Sequence, residues 1–271
     1  MQETAYKSVA KMPRLIIRVG HDSLSFAALL PSESGQVMFQ PYAAKPGISM
    51  PANLREAFKT VAVLQKDWQR TAVLVDSPIV LIPSDFYEES TKEVLYHHAI
   101  TGYEGQAVLA TVLPSLSAVA LYAVSKDLKL VIEDRFDDVK FQHVCFPVWQ
   151  HLYRRSFTGV RQKLYAYFHD GQMDVFSFQQ NRFKFSNSFP ARQVDNAVYF
   201  LLNVWQQLAF DSKRDELHIV GQIQDRERLQ IQLGRFVQNV YVINPRAEFN
   251  RQPITEVQGL PYDLLTYFLR K

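Results

Sequence analysis

One pattern occurs twice in this chain, and it constrains the fold more than any other feature. The stretches RLIIRVGHDSLSFAALL at 14–30 and KLYAYFHDGQMDVFSFQ at 163–179 align over seventeen residues without a gap. In both, apolar residues alternate along two strands that flank a polar turn containing aspartate, which predicts a β-hairpin. Solenoid units recur every ~20–50 residues, so a hairpin repeated at this greater spacing indicates a duplicated domain.

The segments that follow each hairpin share one order of elements. The first half predicts three strands, a helix and a buried apolar strand at 14–20, 23–30, 36–43, 54–68 and 71–77. The second half predicts the same order at 162–170, 172–179, 182–188, 191–210 and 216–221. A later strand over 139–146 and a helix from Pro147 complete the first unit. We therefore expect a flexible N-terminal arm at 1–13, a first domain at 14–159 and a second domain at 160–271.

Composition and charge narrow the function classes. Of the 271 residues, 47% are hydrophobic and 21% are charged, which is typical of a globular chain. The net charge of +3 is too small to indicate binding to nucleic acid or to an anionic membrane. One cysteine and no apolar run near 18 residues predict a cytoplasmic protein that does not insert into membranes. That cysteine, Cys145, lies in an apolar stretch, where we expect a buried and inert thiol.

One aromatic and basic segment, 176–189, interleaves phenylalanines with Arg182 and Lys184. Such a segment can stack the bases of single-stranded nucleic acid. Phe183 and Phe185, however, alternate with the two cations, as in a strand with one core face and one solvent face. We therefore favour a core role for these rings and expect no nucleic-acid partner.

The order of elements resembles a known architecture. Two consecutive β-β-β-α-β-α-β units are the layout of the ribonuclease H-like core, and its doubled form is the actin-like ATPase fold. The resemblance implies an α/β protein with two duplicated ribonuclease H-like domains, each a mixed sheet flanked by helices. More closely, the chain resembles an uncharacterised bacterial family, domain of unknown function 3822, through residues 14–30, 163–189 and 216–221.

In actin-like ATPases the two hairpins are phosphate loops, and each first strand ends in Asp-x-Gly. The aspartates organise Mg²⁺ and its waters, while the glycine lets backbone N–H groups approach phosphate oxygens. A later Gly-Gly pair packs against adenosine. In this chain the three motifs are replaced by Arg18-Val19-Gly20, Tyr167-Phe168-His169 and Gly221-Gln222.

The resemblance thus implies a cleft between the halves, with the candidate binding residues Arg18, Gly20, Asp22, Ser23, Asp170, Gly171 and Gly221. Arg18 could still bind an anion directly. Asp-Gly is the commonest tight hairpin turn, so we favour a turn role for Asp170 and Gly171. Without two carboxylates to hold Mg²⁺, phosphoryl transfer loses its main electrostatic support. We therefore expect no ATPase activity and no cofactor, with ATP and Mg²⁺ as the alternative.

Two functions from different classes remain open. The one we favour is a non-catalytic binding or scaffold protein with an unknown protein partner, because fold and function are separable. The alternative is a divergent nucleotide-binding ATPase or kinase-like enzyme, whose acids Asp22, Asp76 and Asp170 would have to converge around one ion. A metal-dependent nuclease is disfavoured, because Arg18 occupies the first strand and no three or four acids are spaced to converge.

Overall fold

A computed structural model describes residues 14–29, 37–157, 160–180 and 182–269, so the arm expected at 1–13 lies outside the described residues. The strands are β1 (Arg14–Val19), β2 (Ser23–Leu29), β3 (Val37–Ala43), β4 (Arg70–Val75), β5 (Ile79–Pro83), β6 (Ala107–Leu113), β7 (Ala118–Val124), β8 (Val139–His143), β9 (Lys163–His169), β10 (Gln172–Gln179), β11 (Arg182–Pro190), β12 (Glu216–Gly221) and β13 (Asn239–Val242). The α-helices are α1 (Met50–Thr60), α2 (Lys92–Ala99), α3 (Lys126–Glu133), α4 (Cys145–Ser156), α5 (Val194–Gln207), α6 (Arg226–Gly234), α7 (Pro245–Glu248) and α8 (Tyr262–Phe268). Among the described residues, no helix is both long and apolar enough to cross a membrane.

Two five-stranded sheets of the same topology dominate the fold. Their strand orders are β3-β2-β1-β4-β8 and β11-β10-β9-β12-β13. The three strands of each meander pair antiparallel, and the remaining strands pair parallel. The first strand of each repeated hairpin, β1 or β9, lies at the centre of its sheet. The predicted α/β architecture with mixed sheets is therefore confirmed.

The first half contains a third sheet that the duplication does not predict. β5, β7 and β6 form it in that order, and α2 packs against it through the buried ring of Tyr96. This segment enters the chain between β4 and α3, whereas β12 leads to α6 through a short loop. The duplication therefore extends to the two large sheets and their helices, and not to this insertion.

The helices form layers around the two large sheets. α1 and α3 cover the outer face of the first sheet, and α5 and α6 cover the outer face of the second. α4 and α8 lie between the sheets. One hydrophobic core in this middle layer joins residues of both halves, among them Ile16, Leu74, Trp149, Phe176 and Leu264. Burial of these side chains from water stabilises the two halves together.

Two element boundaries differ from the prediction. The helix predicted over 54–68 begins at Met50, with Pro51 in its first turn, and ends at Thr60 because Val61 is extended. The strand predicted over 139–146 ends at His143, whose Nδ1 accepts the backbone N–H of Cys145 at the start of α4. Cys145 is thus buried in a helix rather than in a strand.

A β-bulge separates the two rings that the sequence places on one face. The register between β10 and β11 shifts between Ser177 and Phe178. Phe183 packs on Trp149 in the core between the sheets, whereas Phe185 joins the outer core of the second sheet. The predicted core role of both rings is confirmed, although they belong to different cores.

Candidate functional site

The turns of the two repeated hairpins lie side by side between the halves. Each is a two-residue turn, His21–Asp22 after β1 and Asp170–Gly171 after β9. Asp170 and Gly171 have φ angles of 46° and 76°. This left-handed conformation is what a tight hairpin turn requires, and Asp-Gly adopts it readily. The turn role predicted for Asp170 and Gly171 is confirmed.

Arg18 of β1 joins the second hairpin to the C-terminal helix. Its Nε donates to Asp263 Oδ2 at 2.7 Å, and its Nη2 donates to Asp170 Oδ2 at 2.7 Å. Tyr167 donates to the same Asp263 oxygen at 2.9 Å. Burial lowers the pKa of the Arg18 guanidinium, but the charges of Asp263, Tyr167 and Asp170 outweigh burial and raise this pKa well above its usual value. Arg18 is 4% exposed, so this network is almost fully removed from water.

The Asp170 carboxylate lies against the glycine of the first hairpin. A Cβ atom at Gly20 would stand 3.0 Å from Asp170 Oδ2 and 2.7 Å from Ser23 Oγ. Ser23 Oγ also donates to Asp170 Oδ1 at 3.3 Å. The anions that Arg18 contacts in this structure are thus carboxylates of the same chain, Asp170 and Asp263. The open side of Gly20 therefore faces a carboxylate.

His169, at the end of β9, lies among three carboxyl groups. Its Nε2 is 2.6 Å from Asp174 Oδ2, and its Nδ1 is 3.4 Å from Asp170 Oδ2 and 3.5 Å from Asp76 Oδ2. Burial lowers the pKa of His169, but attraction to Asp174 and hydrogen bonds to the carboxylates outweigh burial and raise the pKa well above its usual value. An imidazolium has two N–H donors, which suits carboxylates on both sides of the ring. Because Asp76 follows β4, the ring links the ends of strands from both halves.

Asp174 of β10 accepts hydrogen bonds from two neighbouring side chains besides its contact with His169. Cys145 Sγ lies 2.9 Å from its Oδ2, and Ser188 Oγ donates to its Oδ1. Burial raises the pKa of Asp174, but His169, Cys145 and Ser188 outweigh burial and lower it to about 2. Burial and the Asp174 charge raise the pKa of the Cys145 thiol well above its usual value. Since only a thiolate is a good nucleophile, this geometry supports the inert role expected for Cys145.

The His143 side chain orients the start of α4 next to this network. Its Nδ1 accepts the Cys145 N–H at 3.1 Å, so the ring proton is on Nε2, which lies 2.7 Å from the backbone oxygen of Ser77. Burial lowers the pKa of His143, although the charges of Asp76 and Asp174 act in the opposite direction. A neutral His143 therefore stands beside a positively charged His169.

Four carboxyl groups between the halves belong to one network of ion pairs. They belong to Asp76, Asp170, Asp174 and Asp263, and the cations among them are Arg18 and His169. The ligand atoms of Asp76, His169 and Asp170 lie within 4.8 Å of one another. Two of the three acids required by the enzyme alternative are thus close together.

The third acid, Asp22, lies outside this cluster. Its side chain is 73% exposed and faces Arg192 at 3.5 Å. Gly171 lies beneath the same arginine, since a Cβ there would stand 2.9 Å from Arg192 Cγ. Gly171 and Arg192 also line a cavity of about 490 Å³ at the second hairpin.

Gly221 has a structural explanation. Its φ is 103°, and a Cβ atom would stand 2.1 Å from the backbone oxygen of Phe168. Gln222 N donates to that same oxygen at 2.8 Å. A glycine at the end of β12 therefore allows the chain to turn closely over β9, whether or not a purine binds there.

Besides His169, the site residues that the sequence prediction missed are the acids Asp174 and Asp263. Each is a single acid in an otherwise apolar element, in MDVF of β10 and YDLL of α8. Acids are almost never fully buried unless they are paired, so an acid inside an apolar pattern is a detectable signal. Its partner is not detectable, because Arg18 lies 245 positions from Asp263.

Comparison with known proteins identifies the family. The family model described as a protein of unknown function, DUF3822, matches residues 5–240. The chain belongs to the DUF3822 family. The resemblance stated from residues 14–30, 163–189 and 216–221 is therefore confirmed. A comparison with curated proteins gives no match.

Solved structures show the same fold. A Bacteroides thetaiotaomicron protein with actin-like ATPase fold and unknown function has a TM-score of 0.84 and 24% identity, over 97% of each chain. A chain of the PilM–PilN type IV pilus biogenesis complex has a TM-score of 0.58 and 11% identity, over 94% of this chain and 97% of that one. The predicted actin-like ATPase fold is thus confirmed, and at these identities the likeness concerns the fold alone.

Proposed function

We propose that this chain is a non-catalytic binding or scaffold protein, a pseudoenzyme of the actin-like fold, and that its partner is another protein. The observation that carries the proposal is the position of the Asp170 carboxylate. Together with Arg18 and Ser23 it covers the open side of Gly20. A phosphate that approached this glycine would meet a carboxylate of like charge, and its natural cation, Arg18, is already paired.

The state of the other carboxylates supports this proposal. Asp174 accepts from Cys145 and Ser188 and faces His169, while Asp263 is held by Arg18 and Tyr167. Mg²⁺ requires near-octahedral oxygen ligands at about 2.1 Å. Binding it here would require carboxylates to release buried cations, and a buried charge left unpaired is strongly destabilising.

A protein partner is proposed by analogy with the PilM–PilN complex, in which a chain of similar architecture is part of a two-protein assembly. Nucleic acid is not proposed, because Phe183 and Phe185 pack into cores rather than onto a stacking surface. We place the protein in the cytoplasm, where the one cysteine, Cys145, would stay reduced.

The proposal is tested by combining turnover and assembly measurements. Tagged protein is isolated from its native cells, and each co-purifying protein is produced separately and recombined with the pure chain. We expect one stoichiometric complex to re-form from pure components, and no phosphate release from Mg²⁺·ATP above a protein-free blank. Phosphate release that Asp170→Asn abolishes would overturn the non-catalytic assignment.

The alternative, a divergent nucleotide-binding ATPase or kinase-like enzyme, has one observation in its favour. Asp76 and Asp170 approach each other at His169, and the only contact of the buried Asp76 Oδ2 with a cation among the described residues is this 3.5 Å ion pair. This alternative requires calorimetry to detect Mg²⁺-dependent ATP binding that Asp76→Asn removes. Binding that is absent, or that the substitution leaves unchanged, excludes Asp76 as a metal ligand.

A further inference from the structure

A cleft separates the inserted sheet from the second large sheet. It has a volume of about 750 Å³. One wall consists of residues 79–81 of β5, and the facing wall consists of residues 183–188 of β11. Trp149 and Asp76 also line it. We call this space the edge-strand cleft, because β5 and β11 each lie at the edge of a sheet.

Backbone groups of β11 point into this cleft without a ladder partner. Ala191 N donates to Gly171 O, which fixes the alternation of hydrogen-bonded pairs between β10 and β11. The N–H and C=O groups of Ser186 and Ser188 therefore point away from β10. The Ser188 N–H donates to Asn187 Oδ1 at 2.9 Å, so the Ser186 N–H is the donor that this part of the edge offers. Among the described residues, no strand pairs with this side of β11.

The same reasoning applies to β5. Ser84 N donates to Ser117 O, which makes these two residues a hydrogen-bonded pair. Counting back along β5, every second residue from Ser84 bonds to β7 and the residues between them do not. Ile79 and Leu81 then have their backbone groups directed outward. Both walls of the edge-strand cleft thus offer unpaired donors and acceptors, which is the requirement for adding a strand.

One other edge strand, β3, is protected differently. On β3, the outer strand of the first sheet, Pro41 takes an outward-facing position and removes the N–H there. Proline is a common means of preventing strand addition at an edge. β5 and β11 carry their prolines, Pro83 and Pro190, at the end of the strand, so the cleft portion of each edge is left open.

The side chains in the cleft define what kind of segment would fit. Ile79, Leu81 and Phe183 are half-buried apolar residues along its walls. The Asp76 side chain is 9% exposed, and its Oδ2 makes no close hydrogen bond beyond the ion pair with His169 Nδ1 at 3.5 Å. It belongs to the cluster in which four carboxyl groups face the two cations Arg18 and His169, so a further cation would complement the charge.

We propose that the edge-strand cleft binds an extended peptide segment of a partner protein, which adds as a strand to β11 and places a lysine or arginine at Asp76. Apolar residues of the peptide pack on Ile79, Leu81 and Phe183. This inference rests on the proposed binding function and names its partner chemistry and its site.

The test uses the full chain and a random peptide library displayed on phage. Enriched peptides are synthesised, and their dissociation constants are measured by fluorescence anisotropy against wild type and three variants. Ser186→Pro removes one outward N–H, whereas Ser186→Ala keeps it and is the matched control. Asp76→Asn removes the charge at nearly constant shape. Thermal unfolding of each variant confirms that it is folded at the assay temperature.

We expect peptides that combine apolar residues with a lysine or arginine. Ser186→Ala should bind them like wild type, and Ser186→Pro should bind at least about fivefold more weakly, because a peptide carbonyl loses its donor. Asp76→Asn should weaken the binding of these peptides about tenfold. When the basic residue of a peptide is replaced by alanine, Asp76→Asn and wild type should bind that peptide equally.

A selection that enriches no peptide would overturn this inference, and so would peptides that bind Ser186→Pro as well as wild type. Either result would leave the proposed binding function intact at another surface. Conversely, ATP turnover by the pure chain would overturn the proposed non-catalytic function, whereas the peptide affinities would still decide whether the cleft binds a strand.

Discussion

At the scale of single residues, Asp170 combines two roles that usually belong to different groups. Its backbone takes the left-handed conformation of the second hairpin turn, and its carboxylate is the anion that Arg18 holds. An asparagine would keep the turn but lose the charge. The residue that suits a tight turn is thus also the residue that fills the space beside Gly20.

The Arg18 ion pairs give the largest expected effect of a single substitution. Arg18→Ala leaves the buried Asp263 without its cation and Asp170 with His169 alone, and we expect a loss of about 3–5 kcal/mol in the free energy of unfolding. Arg192→Ala is the control, since its ion pair with Asp22 is exposed on both sides and should change stability by less than about 1 kcal/mol. Urea unfolding measures both, and equal losses would contradict the buried network.

His169 makes the stability depend on pH in a defined direction. Because its folded-state pKa is raised above the unfolded value of about 6.5, its contribution is fully present below that pH and is lost as pH rises through the folded-state pKa. Urea unfolding from about pH 7 to about pH 9 should show wild-type stability falling more steeply than that of His169→Gln. Parallel curves would show that His169 is not charged in the folded chain.

At acid pH, the dependence of stability on pH has the opposite sign. The pKa of Asp174 is lowered to about 2, so its contribution is present above the unfolded value of about 3.9 and is lost as pH falls toward 2.

At the scale of elements, the approach of β12 to β9 depends on one glycine. Gly221→Ala places a methyl group against the Phe168 carbonyl in a conformation that L-residues avoid. We expect a loss of at least about 2 kcal/mol. Gly234→Ala, in α6 with open space around it, is the matched control and should gain up to about 1 kcal/mol. Guanidinium unfolding measures the stability of both variants, and a Gly221→Ala variant as stable as wild type would contradict this geometry.

Element patterns also show how much the sequence can predict. The repeated hairpins were predictable because apolar alternation and Asp-Gly turns are local signals. The third sheet was not predictable. Its strands are detectable one by one, but whether they join the sheet of β4 or form a separate sheet depends on tertiary packing. The pairing of Arg18 with Asp263 depends on α8 docking between the sheets, and no local pattern contains that information. The same holds for Asp76 and His169, which meet only because the halves face each other.

At the scale of the whole molecule, the middle layer joins the halves. α4 and α8 contribute to a core that includes residues of both large sheets. Arg18, Tyr167 and Asp263 add a buried polar connection across the same layer. The packing and the buried ion pairs therefore both hold the two halves together.

This packing predicts one cooperative unfolding transition. The test uses two variants with one tryptophan each. One keeps Trp68 of the first half and the other keeps Trp205 of the second, and phenylalanine replaces the other tryptophans. Fluorescence during urea unfolding should give coincident midpoints, since neither half can lose the shared core alone. Two separated midpoints would show that the halves unfold independently.

The most direct test of the proposal that the phosphate site is closed is thermal unfolding of the pure wild-type chain with increasing Mg²⁺·ATP. A ligand at about 100 times its dissociation constant adds roughly 2.7 kcal/mol, which raises the melting temperature by about 5–10 °C for a chain of this size. We expect no shift at millimolar nucleotide, because Asp170 and Arg18 occupy each other. A saturable shift of that size would contradict the closed site and favour the divergent nucleotide-binding enzyme.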